Sequence, residues 1–374
     1  MWPARCGRTN WPSRTPAVTH PATDKLPTGK PLGEFGRIDR YFRPLASGFP
    51  GARGLADDAA VFGVPPDQEL VVTTDAMVAG VHFFPDDAPG DIAAKLLRTN
   101  LSDLAAMGAV PYAYTLVTVL PKAVGEDWLA GFAAGLGEDQ ARFGIALAGG
   151  DSVSTSGPIT LSVTAFGLVP KGGAVPRWGG RPGDRVYVTG SIGDAALGLR
   201  IAYGTLEVAD DSARSVLLRR LRRPDPRTTL GPRLVGLATG CLDVSDGLVA
   251  DLGHLCEESG CAAVLESGHV PLSDAARSVI GDDPVRFAMA LTGGDDYELL
   301  FTAADDSAPA LAALSAETGV PVTAIGRLLD GPAGEVTVAD AQGGLWTCRF
   351  AAGTISKSIL AARLRLTQSK AGRR

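Results

Sequence analysis

The chain has 374 residues, of which 45% are hydrophobic and 20% charged, with 47 glycines, 26 prolines and a formal net charge of -6. That length fits about two domains with a sizeable core, and no run of 18 apolar residues occurs, which excludes a membrane-spanning helix as the organising element. The first thirty residues carry a net +4 and the last twelve a net +5, leaving the body between them at -15; so acidic a body argues against nucleic acid as the main partner and fits either bound cations or plain solubility.

Residues 1–30 contain five prolines and no continuous apolar segment of the kind a signal peptide requires. They read as a disordered extension or equally as a start assigned too early, with an Arg-rich transit peptide as a third reading. From Gly33 onward strand-like and helix-like stretches alternate. Apolar, β-branched runs predict strands at Leu70–Thr74, Tyr114–Leu120, Ile145–Ala148, Ile159–Phe166, Arg185–Val188 and Leu299–Thr302. Helical spacing predicts helices at about 91–108, 126–142, 193–203, 213–222, 227–238, 247–259 and 306–318. The Gly- and Pro-rich run from Lys171 to Asp184 is the candidate boundary between two α/β domains, taken as 31–172 and 173–362, with a basic tail at 363–374. Five cysteines, an odd number with no C-x-x-C pair, fit reduced thiols in a cytoplasmic protein.

In the segment 91–108, Asp91 can cap the helix start and Gly108 sits where a C-terminal glycine belongs. Lys95, Arg98, Thr99, Ser102 and Asp103 share one face. The plain reading is a solvated stripe; the functional one turns Asp103 towards a site. A further device recurs: a strand, small residues, then aspartate. It occurs at Val71–Asp75, Ala146–Asp151, Cys241–Gly247 and Leu291–Asp296, with Leu55–Val61 adding Asp57 and Asp58 before a strand. Any one of these is an ordinary turn. Together, glycine beside carboxylate suits phosphate and hard cations, and points to an ATP-dependent enzyme with several Mg²⁺ ions. Neither G-x-x-x-x-G-K-[ST] nor G-x-G-x-x-G is present. The stretch Gly190–Gly198 reads equally as an anion-binding helix start or a strand–helix turn.

The ordered set Gly33-Glu-Phe, Asp57-Asp-Ala, Thr73-Thr-Asp-Ala-Met-Val-Ala-Gly-Val-His-Phe83, Asn100-Leu-Ser-Asp-Leu-Ala-Ala-Met-Gly108, Gly149-Gly-Asp151, Pro182–Gly190, Asp243-Val-Ser-Asp-Gly-Leu248 and Gly293-Gly-Asp-Asp-Tyr-Glu-Leu299 resembles the bacterial thiamine-monophosphate kinases. That family lies within the superfamily of aminoimidazole ribonucleotide synthetase and selenophosphate synthetase. The resemblance implies a two-domain α/β (α+β) fold whose N-terminal ATP- and Mg-binding domain forms a dimer-interface sheet, followed by a synthetase-like α/β domain. It implies phosphoryl transfer from ATP to thiamine monophosphate in a cytoplasmic homodimer, with no membrane or nucleic-acid partner. Carried over by motif, Asp58, Thr73, Thr74, Asp75, Asp103, Asp151, Asp243 and Asp246 would hold Mg²⁺, with K⁺ a further candidate. Gly150, Arg177 and Ser245 would contact ATP, while His82 and Asp295 would face thiamine monophosphate. Asp295 stands where the family more often has glutamate, and Phe350 and Trp346 are both candidates for its C-terminal aromatic. The alternatives are a sibling ATP-dependent synthetase (selenophosphate, aminoimidazole ribonucleotide or hydrogenase-maturation type) and a non-catalytic cation-binding protein. The chain's Arg/Pro-rich setting of Cys6 and its Ala-Gly-Arg-Arg374 end lack the reactive cysteines of two of those siblings.

Overall fold

The computed structural model describes residues 33–340 and 344–349. The proline-rich extension, the basic tail and Phe350 lie outside the described residues. The chain opens with a short turn of helix, α1 (Glu34–Arg37), continued by tighter and wider turns to Ala46. There follow β1 (Gln68–Val78), α2 (Pro89–Ala106), β2 (Val110–Pro121), α3 (Glu126–Phe143), β3 (Ala146–Thr155) and β4 (Thr160–Pro170). These strands form a four-stranded sheet in the order β1-β4-β2-β3, antiparallel except for β2–β3, which α3 connects as a crossover. Period-two alternation turns Leu161, Val163 and Ala165 inward beneath Leu96, Leu97, Leu101 and Leu104 of α2. The opposite face carries Val72, Val117 and Val153, which are 55%, 37% and 44% exposed.

The second unit adds β5 (Arg185–Thr189), α4 (Asp194–Ala202), α5 (Asp211–Arg222), β6 (Gly240–Asp243), α6 (Leu248–Ser259), β7 (Ala262–Glu266), α7 (Asp274–Ile280), α8 (Pro284–Thr292), β8 (Leu299–Ala303), α9 (Ala308–Thr318), β9 (Val322–Leu329), β10 (Glu335–Ala339) and β11 (Leu345–Arg349). Its seven-stranded sheet runs β11-β10-β7-β9-β5-β8-β6. Alternation again divides the residues: Val186, Val188, Leu242 and Leu300 pack on α6, while Tyr187, Cys241, Leu299 and Phe301 face α9. Ala105 and Ala106 of α2 join that second core, so α2 lies between both sheets.

Several expectations change. Residues 227–238 do not form a helix: Pro226, Gly231, Pro232 and Gly236 interrupt it, leaving one 3-10 turn at Gly231–Leu234. Strand β3 continues through Gly149–Asp151 instead of turning there, because these residues pair in parallel with β2. Leu55–Val61 is a bend, and the strand starts only at Gln68. The N-cap of α2 is Ala88 with Pro89 behind it, while Asp91 sits in the first turn and accepts from Arg223 Nε at 2.5 Å. The polar stripe of α2 is not solvated: Lys95, Arg98, Thr99 and Ser102 are all buried. Arg98 is held by Asp139 through two bonds of 2.7 Å and donates to the Pro224 carbonyl at 3.0 Å. Arg222 reaches Asp87 at 2.7 Å, completing a charged seam between the two units.

Candidate active site

The strand β1 places Thr73 and Asp75 on the face that α2 covers and Thr74 on the other, where its hydroxyl bonds the Val163 carbonyl. Thr73 donates its hydroxyl to Asp103 Oδ2 of α2 at 2.5 Å. Asp243 reaches the same junction from the end of β6, which packs on α2. Burial pushes the Asp103 carboxyl up to about 6, and the Asp75 charge adds to this while Thr73 and Arg177 oppose it. Burial pushes Asp243 up to about 8, with Asp103 the next cause, and burial likewise raises Asp75 against the pull of His82. Asp243 Oδ2 is buried and accepts no hydrogen bond. Mutually repelling carboxylates with an unused buried oxygen fit a cation. Among the described residues no three His, Cys, Asp or Glu side chains close around one point.

Two loops complete the junction. Tyr297 N–H donates to the Val244 carbonyl at 2.8 Å, Asp295 N–H to Ser245 at 2.9 Å and Val244 N–H to Glu298 at 2.8 Å. The backbones lie so close that a Cβ on Gly294 would stand 2.0 Å from the Ser245 oxygen. Asp295 and Tyr297 adopt φ of +71° and +52°, conformations that non-glycine residues rarely take. Each acid of this loop has its own partner. Asp295 Oδ2 accepts from Lys95 Nζ at 2.9 Å, and its Oδ1 accepts from the Tyr297 hydroxyl at 3.2 Å. Asp296 accepts from the Gly193 and Ala195 N–H groups at 2.7 and 3.3 Å. The α4 N-terminus is thus closed by the chain's own carboxylate, so Gly190–Gly198 is a strand–helix turn and not an anion site. Glu298, fully buried, accepts from Thr189 at 2.7 Å and Arg220 at 2.9 Å, and also pairs with Arg227.

The remaining candidates are spread more widely. Asp246 is exposed and does not cap α6; the N-cap is Gly247. Asp251 reaches back instead, its Oδ2 accepting from the N–H groups of Asp246 and Gly247 at 3.0 Å each. His82 is exposed, with Nδ1 accepting from Val78 N–H at 3.1 Å, and Arg177 is exposed in the linker. Ser245 is half-buried in the paired loop. Asp58, Gly150 and Asp151 line a different space, a cavity of about 350 Å³ between β3 and the segment 38–60. The register Asp75–Val163–Leu116–Gly150 separates them from Asp75 by three strand spacings, about 14 Å. The acidic residues therefore form two groups, at the two edges of the first sheet. Cys241 is 2% exposed, a small buried hydrophobe, with its thiol pushed up by burial.

Sequence reasoning did not single out Asp251, Arg220 or Arg227. An acid four residues beyond the Asp-Gly of a helix start was a readable signal for Asp251. Arg220 and Arg227 meet Glu298 from 78 and 71 residues away, and nothing in local sequence marks them.

Family models place the chain among known proteins. The AIR synthase related protein N-terminal domain matches residues 56–169, and the corresponding C-terminal domain matches 181–339. Thiamine-monophosphate kinase of Caulobacter vibrioides is 44% identical over 309 residues, covering 82% of this chain and 86% of its own. The Escherichia coli K12 protein of that name is 43% identical over 298 residues, 79% of this chain and 90% of its own. The crystal structure of the Stenotrophomonas maltophilia thiamine-monophosphate kinase superposes with a TM-score of 0.70 at 44% identity, covering 76% of this chain and 89% of that one. A solved structure described as AaThiL complexed with AMPPCP and TMP superposes at 0.65 with 29% identity, over 84% and 97% of the two chains. Hydrogenase maturation protein HypE in complex with ATP, at 21% identity and a TM-score of 0.69, shares the fold. With both domains matched in order and close relatives aligned along most of their length, the chain belongs to the thiamine-monophosphate kinase family.

Proposed function

We propose that this chain transfers the γ-phosphoryl group of ATP to thiamine monophosphate, giving thiamine diphosphate. The observation that carries the reading is the buried, unpartnered Asp243 Oδ2 among Asp75 and Asp103 at the junction of the two units. The AaThiL complex with AMPPCP and TMP supports both substrates. In this reading Thr73, Asp75, Asp103, Asp243 and Asp246 would hold Mg²⁺ at the junction. Asp58 and Asp151 would hold further ions at the β3 edge, and Thr74 would add its hydroxyl on the β1 edge, beside Asp75 in sequence. Mg²⁺ supplies neutralisation of both substrates' phosphates and a template for in-line transfer.

The acceptor oxygen belongs to a phosphate already largely ionised at neutral pH, so no strong general base is needed. The task left to the protein is placement. Gly150 would contact ATP; its missing Cβ itself serves the pairing with β2, since a Cβ there would stand 1.9 Å from the Leu116 oxygen. Ser245 and Arg177 would hold the nucleotide, and His82 and Asp295 would face thiamine monophosphate. The division into an ATP- and Mg-binding domain (31–172) and a synthetase-like domain (173–362) belongs to the same proposal. So does a cytoplasmic homodimer built on the first sheet. The exposed Val72, Val117 and Val153 on its uncovered face support dimerisation, and the buried free thiols of Cys241, Cys256 and Cys261 support a reducing compartment. Among the described residues no helix is long and apolar enough to cross a membrane.

The test is direct. Purified protein with ATP, Mg²⁺ and thiamine monophosphate should form thiamine diphosphate and ADP in equal amounts. Failure to form it, with ADP released on another acceptor, refutes the proposal. Omitting Mg²⁺ should stop turnover, and runs with and without K⁺ read the monovalent requirement.

A further inference from the structure

The side chain of Lys95 is only 7% exposed, although it lies on α2 in the segment that sequence spacing reads as solvated. Its ammonium donates to two acceptors: the His82 carbonyl oxygen at 3.0 Å and Asp295 Oδ2 at 2.9 Å. One acceptor belongs to the turn after β1 in the first unit, the other to the Gly293–Glu298 loop of the second. We infer that Lys95 is a positioning residue that couples these two loops, so that the pair proposed to face thiamine monophosphate is set as one surface. This inference rests on the proposed function for the identity of the ligand.

Three observations carry it. A buried ammonium is costly unless it is both paired and hydrogen-bonded, and here a single side chain is its ion partner. Asp295 stands at φ +71° and Tyr297 at +52°, so the loop's shape is maintained by what surrounds it. Both Asp295 oxygens are engaged, one by Lys95 and one by the Tyr297 hydroxyl, which fixes the carboxylate's direction. At the other end the His82 ring is pinned to its own turn through Val78 N–H, so moving the carbonyl moves the imidazole. Lys95 therefore sets the separation between His82 and Asp295 without contacting the reacting phosphate.

The experiment uses the full chain. Lys95→Met keeps the length of the side chain and removes the charge. It should raise KM for thiamine monophosphate about tenfold or more, the effect of losing a charge-assisted bond, with KM for ATP within about twofold. Asp295→Asn weakens the same bond from the other side. The double variant should be no worse than the poorer single one, since both break a single linkage. Backbone hydrogen exchange supplies a readout independent of catalysis. In Asp295→Asn, amides of residues 79–84 should exchange several-fold faster, although the substitution lies in the other unit. Additive effects in the double variant, equal rises in both KM values, or unchanged exchange at 79–84 would each overturn the inference. If the wild type makes no thiamine diphosphate, the proposed function falls, while the exchange measurement still decides the coupling. If Lys95→Met does not fold, Asp295→Asn alone decides it.

Discussion

At the residue scale the site is a store of electrostatic repulsion. Asp243 is buried and Asp103 half-buried, both are raised in pKa, and the Asp75 charge bears on each. Replacing Asp75 with asparagine should therefore separate function from stability. Turnover should fall on the order of 10²-fold or more, as for loss of a group that stabilises transferring charge, with the melting temperature in metal-free buffer unchanged or higher. A variant with full activity would remove Asp75 from the site. The sign of the pH dependence follows from the same groups. A carboxyl whose folded pKa exceeds its unfolded one of about 4 favours the folded state when protonated. Metal-free protein should thus gain stability as pH falls from about 8 through about 6, the folded values of Asp243 and Asp103. Asp243→Asn should flatten this slope, and Mg²⁺ should reduce it. Melting curves across that range, with and without metal, read both effects; a slope unaltered by the substitution would assign the dependence elsewhere.

At the scale of elements, the paired loops are the sharpest constraint. Gly294→Ala would drive a methyl into the Ser245 carbonyl, so the loops must part. Activity should drop by about 10²-fold, the usual effect of an ångström of misplacement, while far-UV circular dichroism stays native. Wild-type kinetics in this variant would mean that the loops need not pair. These loops also show what was legible. Asp75, Asp103, Asp243 and Asp295 could be read as candidates because each stands beside small residues in an apolar run, although Asp75 lies inside β1 and the run before Asp295 is the end of helix α8, not the expected strand. Helices 126–142 and 247–259 were readable from their spacing and end within a residue of α3 and α6. The region 227–238 was misread because apolar spacing outweighed Pro226 and Pro232, though each removes a backbone donor. Strands β9 and β10 were invisible because their partners β5 and β7 are distant in sequence, and β11 exists only as the edge strand paired to β10. The burial of the α2 stripe was hidden for the same reason: its partners Asp139, Pro224 and Asp295 are 41, 126 and 200 residues away.

At the scale of the molecule, two layered units meet along α2, and charge marks the seam. Carboxylates of the first unit, Asp87 and Asp91, face arginines Arg222 and Arg223 of the second. Arg142 of the first reaches Asp225 of the second at 2.5 Å. Such pairs are individually weak and screened by salt where exposed, as Arg142–Asp225 is; Arg222–Asp87 and Arg223–Asp91 are partly buried and cluster beside it. That arrangement has a consequence for a divided chain. Cut between Gly172 and Gly173, the polypeptide would yield two fragments carrying complementary halves of the seam, each with its own sheet. Produced separately and mixed, they should reassociate in trans and recover kinase turnover. Their affinity should fall at least about tenfold between low salt and 0.5 M NaCl. Reassociation indifferent to salt would mean that Ala105 and Ala106 of α2, not the ions, hold the halves together. A protein whose proposed metal-holding carboxylates come from two bodies would then carry, in its charges, the instructions for finding its other half.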